Sequence, residues 1–317
     1  MQQSLTPPLA QSAPPLPVIC ILGPTGAGKT AASLGLAKAC NGAIINIDSR
    51  QVYTDFPIIT AQPTKEEQSQ APHYLYGFLP TEESISAGQY ARMAAACIQE
   101  RNANRHTSIL VGGTGLFIRT LFSGIAPIPA TPTTIRDFWQ EALTKRGSPA
   151  LHAELTEIDP IYAQKIHPND RQRVTRALEV YKHTGKNFTW WHTQPLPPSP
   201  YAPLFIGIKR SLDELAPRLE QRIHQMLDMG ALNEAQAAYA VCQDAASPGW
   251  SGIGCAELYA HITGQMPLDE TLLLWLKNTR AYAKRQLTWF NAQKDIQWFS
   301  PDDTDSIIEY CLKSLPV

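Results

Sequence analysis

Residues 23–30 read Gly-Pro-Thr-Gly-Ala-Gly-Lys-Thr, directly behind the apolar run Val18-Ile19-Cys20-Ile21-Leu22. The order is a buried strand, a glycine-rich turn, and a helix opening at Thr30. Gly23, Gly26 and Gly28 let the backbone turn with positive φ and aim successive N–H groups inward. The helix N-terminus adds partial positive charge and Lys29 a full one, and the Thr30 hydroxyl suits a phosphate-bound Mg²⁺. Such a loop cradles a di- or triphosphate. It does not distinguish hydrolases, kinases and transferases that expel diphosphate.

The rest of the chain supplies the sheet this loop needs. Asn41-Gly42 leads into the apolar run Ala43–Ile47, which ends at Asp48, and Ser108–Val111 runs into Gly112-Gly113-Thr114-Gly115. Helices are expected at 31–39 and 87–101, with 54–82 irregular. This alternation predicts an α/β fold: a P-loop-type parallel sheet flanked by helices, with ligands at the carboxyl ends of its strands. Thr25, Asp48 and Thr114 all fall there.

Proline-containing turns at 127–132 introduce helices near 133–146, 149–157 and 170–184, and Pro195–Pro200 precedes another strand, Leu204–Ile208. The organisation expected is a core of 18–122 and 201–317 interrupted by an all-helical insertion, 123–200. The remainder after 212 reads as mostly helical, with one long amphipathic stretch at Thr271–Phe290.

Composition narrows the setting. At 317 residues the chain has room for a core and a second domain, and its formal net charge of −1 provides no global basic field, so a nucleic acid would have to be held by local patches. Six scattered cysteines with no C-x-x-C pair argue against zinc or a disulfide scaffold. Residues 1–17 hold five prolines and no Lys or Arg, which reads as a disordered lead-in rather than a targeting peptide. With no apolar stretch long enough for a membrane, a cytoplasmic protein is expected.

Read from the residues alone, Asp48 has three roles open to it: organiser of a metal, general base beside the phosphate, or a turn cap. Gly112–Gly115 is, on spacing alone, a tight strand-to-helix turn. The helix around Gln172–Arg176 carries Val174, Ala177, Leu178 and Tyr181 at core spacing, with Arg173 and Arg176 flanking that stripe. A solvated charged face is the commoner meaning of such a helix, although with Lys182 and Lys186 it also suits nucleic-acid phosphates. Arg218 and Arg222 lie one turn apart, as do Arg280, Lys284 and Arg285.

Several segments in order resemble the tRNA dimethylallyltransferase family, also called tRNA isopentenylpyrophosphate transferase. They are Gly23–Thr30, Asp48-Ser-Arg-Gln-Val-Tyr53, Thr60-Ala-Gln-Pro-Thr64, Pro72-His73, Val111-Gly-Gly-Thr-Gly-Leu116, Asn169-Asp-x-x-Arg-x-x-Arg176 with Ala177–Tyr181, and Lys284-Arg-Gln-Leu-Thr-Trp289. The resemblance implies transfer of a dimethylallyl group from dimethylallyl diphosphate to N6 of the adenosine at tRNA position 37, beside the anticodon. Diphosphate is released, with Mg²⁺ as the cofactor. Carried over, Gly23, Pro24, Thr25, Gly26, Ala27, Gly28, Lys29 and Thr30 bind the diphosphate, with Thr25 near the reacting centre. Asp48 is the general base; Asp48, Ser49, Arg50 and Gln51 line the adenosine site; Arg222, with Arg218, steadies the diphosphate. Thr114, Arg136, Gln172, Arg173, Val174, Thr175 and Arg176 contact the tRNA anticodon stem-loop. A monomer is expected. Gln62, Tyr74 and Cys255 depart from the family's usual Lys, His and Tyr, which bears on fine-tuning of the substrate. The alternative from another class is a P-loop kinase of a nucleotide or small metabolite. A GTPase is disfavoured because no N-K-x-D guanine reader is present.

Overall fold

The computed structural model describes residues 14–315. The chain divides into two compact units: one runs to Phe122 and resumes at Ser199, the other is Ser123–Pro198.

In the first unit the elements are β1 (Leu16–Leu22), α1 (Lys29–Ala39), β2 (Gly42–Asn46), α2 (Lys65–Gln68), β3 (His73–Tyr74), α3 (Ala87–Ala103), β4 (Thr107–Gly112) and α4 (Gly115–Ser123). The second unit holds α5 (Thr133–Arg146), α6 (Ser148–Ile158), α7 (Pro160–Ala163), α8 (Arg171–Thr184) and α9 (Phe188–His192). The first then resumes with β5 (Tyr201–Ile208), α10 (Leu212–Asp228), α11 (Ala231–Val241), α12 (Cys255–Ile262), α13 (Leu268–Asn291), β6 (Ile296–Phe299) and α14 (Thr304–Ser314).

The six strands form one sheet in the order β3-β2-β4-β1-β5-β6, and every pairing is parallel. β1 is central, and β4 separates it from β2. The chain therefore leaves β1, returns two strands away, and opens a crevice at the carboxyl end of β1, where a ligand is held in sheets of this kind. Because helices cover both faces, strand residues are buried in alternation on each. Val18, Cys20 and Leu22 join one apolar cluster, and Ile19 and Ile21 the other.

β1 begins at Leu16, two residues inside the stretch read as a lead-in, because Leu16 and Pro17 align with Tyr201 and Ala202 of β5. Proline is tolerated there, at the start of the strand. Residues 1–13 of that lead-in lie outside the described residues. The segment 54–82 is not wholly irregular: Thr64 and Glu67 form a capping box that opens α2, and His73 and Tyr74 extend the sheet beside β2. β6 is a strand where helix was expected, paired along Phe205–Ile208.

In the insertion, α5, α6 and α8 bury Trp139, Leu151, Leu155, Val174, Ala177 and Leu178 together. The stripe of α8 differs from expectation at one position. Tyr181 is exposed and Val180 is buried instead. Asp159, almost fully buried, accepts from the backbone N–H of Tyr162 and of Thr189 and from the Thr189 hydroxyl, at 2.6–3.1 Å, which fixes α9 to the start of α7.

Candidate active site

The loop between β1 and α1 has the geometry its glycines promised. Gly26 and Gly28 take φ 78° and 105°, and no side chain caps α1, so its first N–H groups are directed into the loop. The Lys29 ammonium donates to the carbonyls of Gly23 and Pro24 at 3.0 and 2.9 Å. Burial lowers its pKa to about 8 against the pull of Asp48, and Arg222 adds to the drop. For Arg222, burial draws the guanidinium below its usual range while Asp48 and Glu67 push it back up. These shifts place Lys29, Asp48 and Arg222 in one electrostatic neighbourhood. Arg218, one turn before Arg222 in α10, is exposed, and so is Thr30 at the mouth of the loop.

Asp48 stands just past the carboxyl end of β2 in a stiff turn. The Asn46 side chain accepts from the Asp48 N–H at 2.8 Å and donates to the Asp48 and Leu75 carbonyls at 3.0 and 2.9 Å. One carboxylate oxygen of Asp48 accepts from the Arg50 N–H at 2.9 Å. Two phenols share its surroundings. Tyr76 and Tyr282 are both held strongly toward the neutral form, chiefly by burial and then by the Asp48 charge. The Asp48 carboxylate therefore shares its surroundings with two cations, Lys29 and Arg222, and two neutral phenols.

The third loop closes the arrangement. Thr114 receives the Ser49 N–H on its hydroxyl at 2.9 Å, donates that hydroxyl to Ser49 Oγ at 3.2 Å, and donates its own N–H to the Ile47 carbonyl at 3.2 Å. A Cβ on Gly112 would lie 2.5 Å from the Ile47 backbone, so the close approach of the β4 and β2 ends depends on that glycine. The plain-turn reading of Gly112–Gly115 is thus too weak: the turn also positions Thr114 on the Asp48 loop.

Gly23–Thr30, Asp48, Ser49, Thr114 and Arg222 are brought together. Arg50 and Gln51 have further duties. Arg50 donates to Ser251 Oγ at 3.0 Å, and the Gln51 amide donates to the Thr60 and Ala61 carbonyls at 3.1 and 2.6 Å, holding the loop that follows. In the insertion, Arg136, Gln172 and Arg173 are exposed, but Val174 and Thr175 are buried, with the Thr175 hydroxyl spent on the Arg171 carbonyl at 2.8 Å. Their side chains face inward because α8 must fill that unit's core. Arg176 is half committed as well, donating to Thr131 Oγ1 at 2.6 Å and pairing with buried Glu179 at 3.2 Å.

The three departures each have a local partner or burial. Gln62 donates to the Tyr53 carbonyl at 2.7 Å, Tyr74 accepts from Arg101 at 2.6 Å under its guanidinium, and Cys255 is fully buried.

Sequence reasoning missed Asn46, Tyr76, Tyr282 and Gln286. The last accepts from the Thr25 N–H at 2.9 Å and donates to the Gly113 carbonyl at 3.1 Å. Its only signal in the sequence was its place in Lys284–Trp289.

A family model described as IPP transferase matches residues 51–293. The tRNA dimethylallyltransferase of Nitratidesulfovibrio vulgaris (strain Miyazaki F) is 55% identical over 311 residues, spanning 93% of this chain and 92% of that protein. The chain belongs to the tRNA dimethylallyltransferase family. The one from Rhodopseudomonas palustris is 40% identical over 289 residues, covering 90% of this chain and 91% of the relative. Among solved structures, the tRNA isopentenylpyrophosphate transferase of Bacillus halodurans superposes with a TM-score of 0.69 at 33% identity, covering 93% and 95% of the two chains. A eukaryotic dimethylallyltransferase acting on tRNA gives 0.78 at 29% identity over 92% of this chain and 75% of that one. The family model begins beyond the phosphate loop.

Proposed function

We propose that the protein transfers the dimethylallyl group of dimethylallyl diphosphate to N6 of the adenosine at position 37 of tRNA, beside the anticodon, releasing diphosphate. The observation that carries this reading is the convergence of Asp48 with Lys29 and Arg222 at the crevice of the sheet. Breaking an allylic C–O bond sends a pair of electrons onto the diphosphate, and fixed cations and N–H groups stabilise that charge where it grows. The loop amides, Lys29 and Arg222 are that set. Adenine N6 is a weak nucleophile because its lone pair is delocalised into the ring, so it must be aligned with the allylic carbon and lose a proton as the C–N bond forms. Asp48 accepts that proton. Tyr76 and Tyr282, kept neutral, add no further negative charge beside it. The base must first leave the stack of the anticodon loop, as in other enzymes that act on bases.

Among the described residues no cluster of three or more His, Cys, Asp or Glu is arranged to hold a metal. The donor set is the exposed Thr30 hydroxyl, which fits Mg²⁺, an ion that takes few protein ligands when it arrives with phosphates. Thr30 would hold it beside the diphosphate, and it would neutralise part of the leaving group's charge. Arg136, Gln172 and Arg173 offer the insertion's contacts to the anticodon stem-loop. No helix among the described residues is long and apolar enough to cross a membrane. A cytoplasmic monomer fits a reading in which one copy carries every residue named for the reaction.

The test is incubation with dimethylallyl diphosphate, Mg²⁺ and unmodified tRNA, with ATP and GTP as controls, followed by nucleoside analysis. Isopentenyladenosine formed only with the isoprenoid donor is the expected result. Phosphoryl transfer from ATP or GTP would overturn it in favour of a kinase.

A further inference from the structure

We propose that Gln286 is a positioning residue that locks the diphosphate loop to the loop bearing the base, keeping the allylic carbon in line with N6 and away from water. The inference rests on the reading of dimethylallyl transfer above. Gln286 projects from α13 and is 5% exposed. Its amide uses both ends: Oε1 accepts from the Thr25 N–H, and Nε2 donates to the Gly113 carbonyl. Thr114 follows Gly113 and is bonded to Ser49 and Ile47 on either side of Asp48. A continuous hydrogen-bonded path therefore runs from Thr25 through Gln286 and Thr114 to the Asp48 loop.

The site is shaped for this one side chain. A Cβ on Gly113 would lie 2.1 Å from Gln286 Nε2, so only a glycine there admits the amide. Trp289, one turn later on α13, is seated in the same way. A Cβ on Gly115 would lie 2.5 Å from its indole. Two successive turns of one helix thus plug two glycines of one loop, and the polar plug is the one that reaches across to Thr25. A buried amide must find partners wherever it is placed. Here both partners are backbone atoms of the two loops that carry the reacting groups. Misplacement by an ångström costs about 10²-fold in such reactions.

A loosened register has a distinct chemical consequence. Water attacks the allylic carbon, the C–O bond to the diphosphate breaks with its electrons leaving on the diphosphate, and the water proton passes to solvent. The products are dimethylallyl alcohol and diphosphate.

The experiment compares wild type with Gln286→Met, which loses both bonds, Gln286→Glu, which keeps the acceptor, and Gly113→Ala, which displaces the amide from the other side. Labelled donor and unmodified tRNA are supplied, and kcat, both KM values, melting temperature and the partition of label between tRNA and alcohol are read. The expected result is a kcat about 100-fold lower for Gln286→Met and Gly113→Ala, with KM values within about threefold and the alcohol fraction raised about tenfold. Gln286→Glu, which keeps the Thr25 contact but sets an oxygen against the Gly113 carbonyl, falls in between, with a melting temperature below wild type. Unchanged kcat and partition in Gln286→Glu, or losses that follow melting temperature alone, overturn the positioning role. A wild-type protein that transfers no label to tRNA overturns instead the reading on which it rests.

Discussion

The carboxyl edge of the sheet and the exposed face of the insertion both present polar residues, but they spend them differently. At the sheet edge Lys29 holds two loop carbonyls, Asn46 braces the Asp48 turn, Gln51 holds the following loop, and Gln286 bridges two glycine loops. On the insertion, Arg136 and Gln172 are exposed, and the exposed Arg173 side chain makes a long ion pair with Asp170 at 3.5 Å. The first arrangement fixes groups before substrate arrives, which is what electrostatic stabilisation of a leaving group requires. The second leaves charges to meet a flexible polyanion, where contacts set affinity and register rather than rate. Substitutions at the sheet edge should therefore act on kcat or on donor use, and substitutions of the exposed Arg136, Gln172 and Arg173 on tRNA binding alone.

The sharpest break of that contrast is Asp48→Asn. The amide oxygen still accepts from the Arg50 N–H, so the turn survives, but no base remains. Turnover should fall by about 10²–10⁴-fold, with tRNA affinity within about threefold of wild type. Loss of tRNA binding in proportion to activity would make Asp48 a recognition residue.

Lys29→Ala should raise the donor KM by about 10–100-fold and leave binding of bare tRNA intact. Lys29 also gives the site a pH dependence. Its folded pKa of about 8 lies below the ordinary 10.5, so the charged side chain costs stability fully below pH 8, and that cost is relieved as pH climbs toward 10.5. Donor affinity moves the opposite way, declining above about pH 8 as the ammonium is lost. Lys29→Arg should flatten that decline; a decline of unchanged midpoint would assign it to another group.

The same contrast governs what could be read from the sequence. The phosphate loop, the central strands and Asp48 were legible because each is a local pattern: an apolar run, a glycine spacing, an acid at a strand end. β3 and β6 were not, because two and four residues carry too little periodicity. Gln286 was quoted within a motif but given no role. Its partners, Thr25 and Gly113, stand 261 and 173 residues away, and nothing beside it announces them. On the insertion the arginines were found easily, but not which of them was free. Arg176 is tied to Thr131, 45 residues earlier, and that contact exists only once α8 has packed.

Arg176→Ala tests that distinction from within the insertion. Glu179 is buried, and losing its guanidinium partner leaves a carboxylate poorly satisfied, at a cost of about 1–3 kcal/mol. The loss should appear as a lower urea midpoint, and Glu179→Gln in the same chain should restore part of it. A folded Arg176→Ala protein of wild-type stability but weakened tRNA binding would return Arg176 to the surface grip.

Arg173→Ala is the smallest expected effect and the cleanest test of the free face. Arg173 lies in the first turn of α8, where Asp170 caps the helix by accepting the Arg173 backbone N–H at 3.1 Å. That bond belongs to the backbone and survives the substitution. The side chain is 64% exposed, and its ion pair is worth little. Stability should therefore stay within about 0.5 kcal/mol of wild type. A phosphate contact, if lost, should raise the tRNA KM severalfold and reduce the salt slope of binding by about one unit. The donor KM and the rate at saturating tRNA should not move, since both are set at the sheet edge. An unchanged affinity and salt slope would remove Arg173 from the interface. A lowered kcat at saturating tRNA would show instead that the insertion reaches the chemistry, and the division between a fixed site and a free grip would fail.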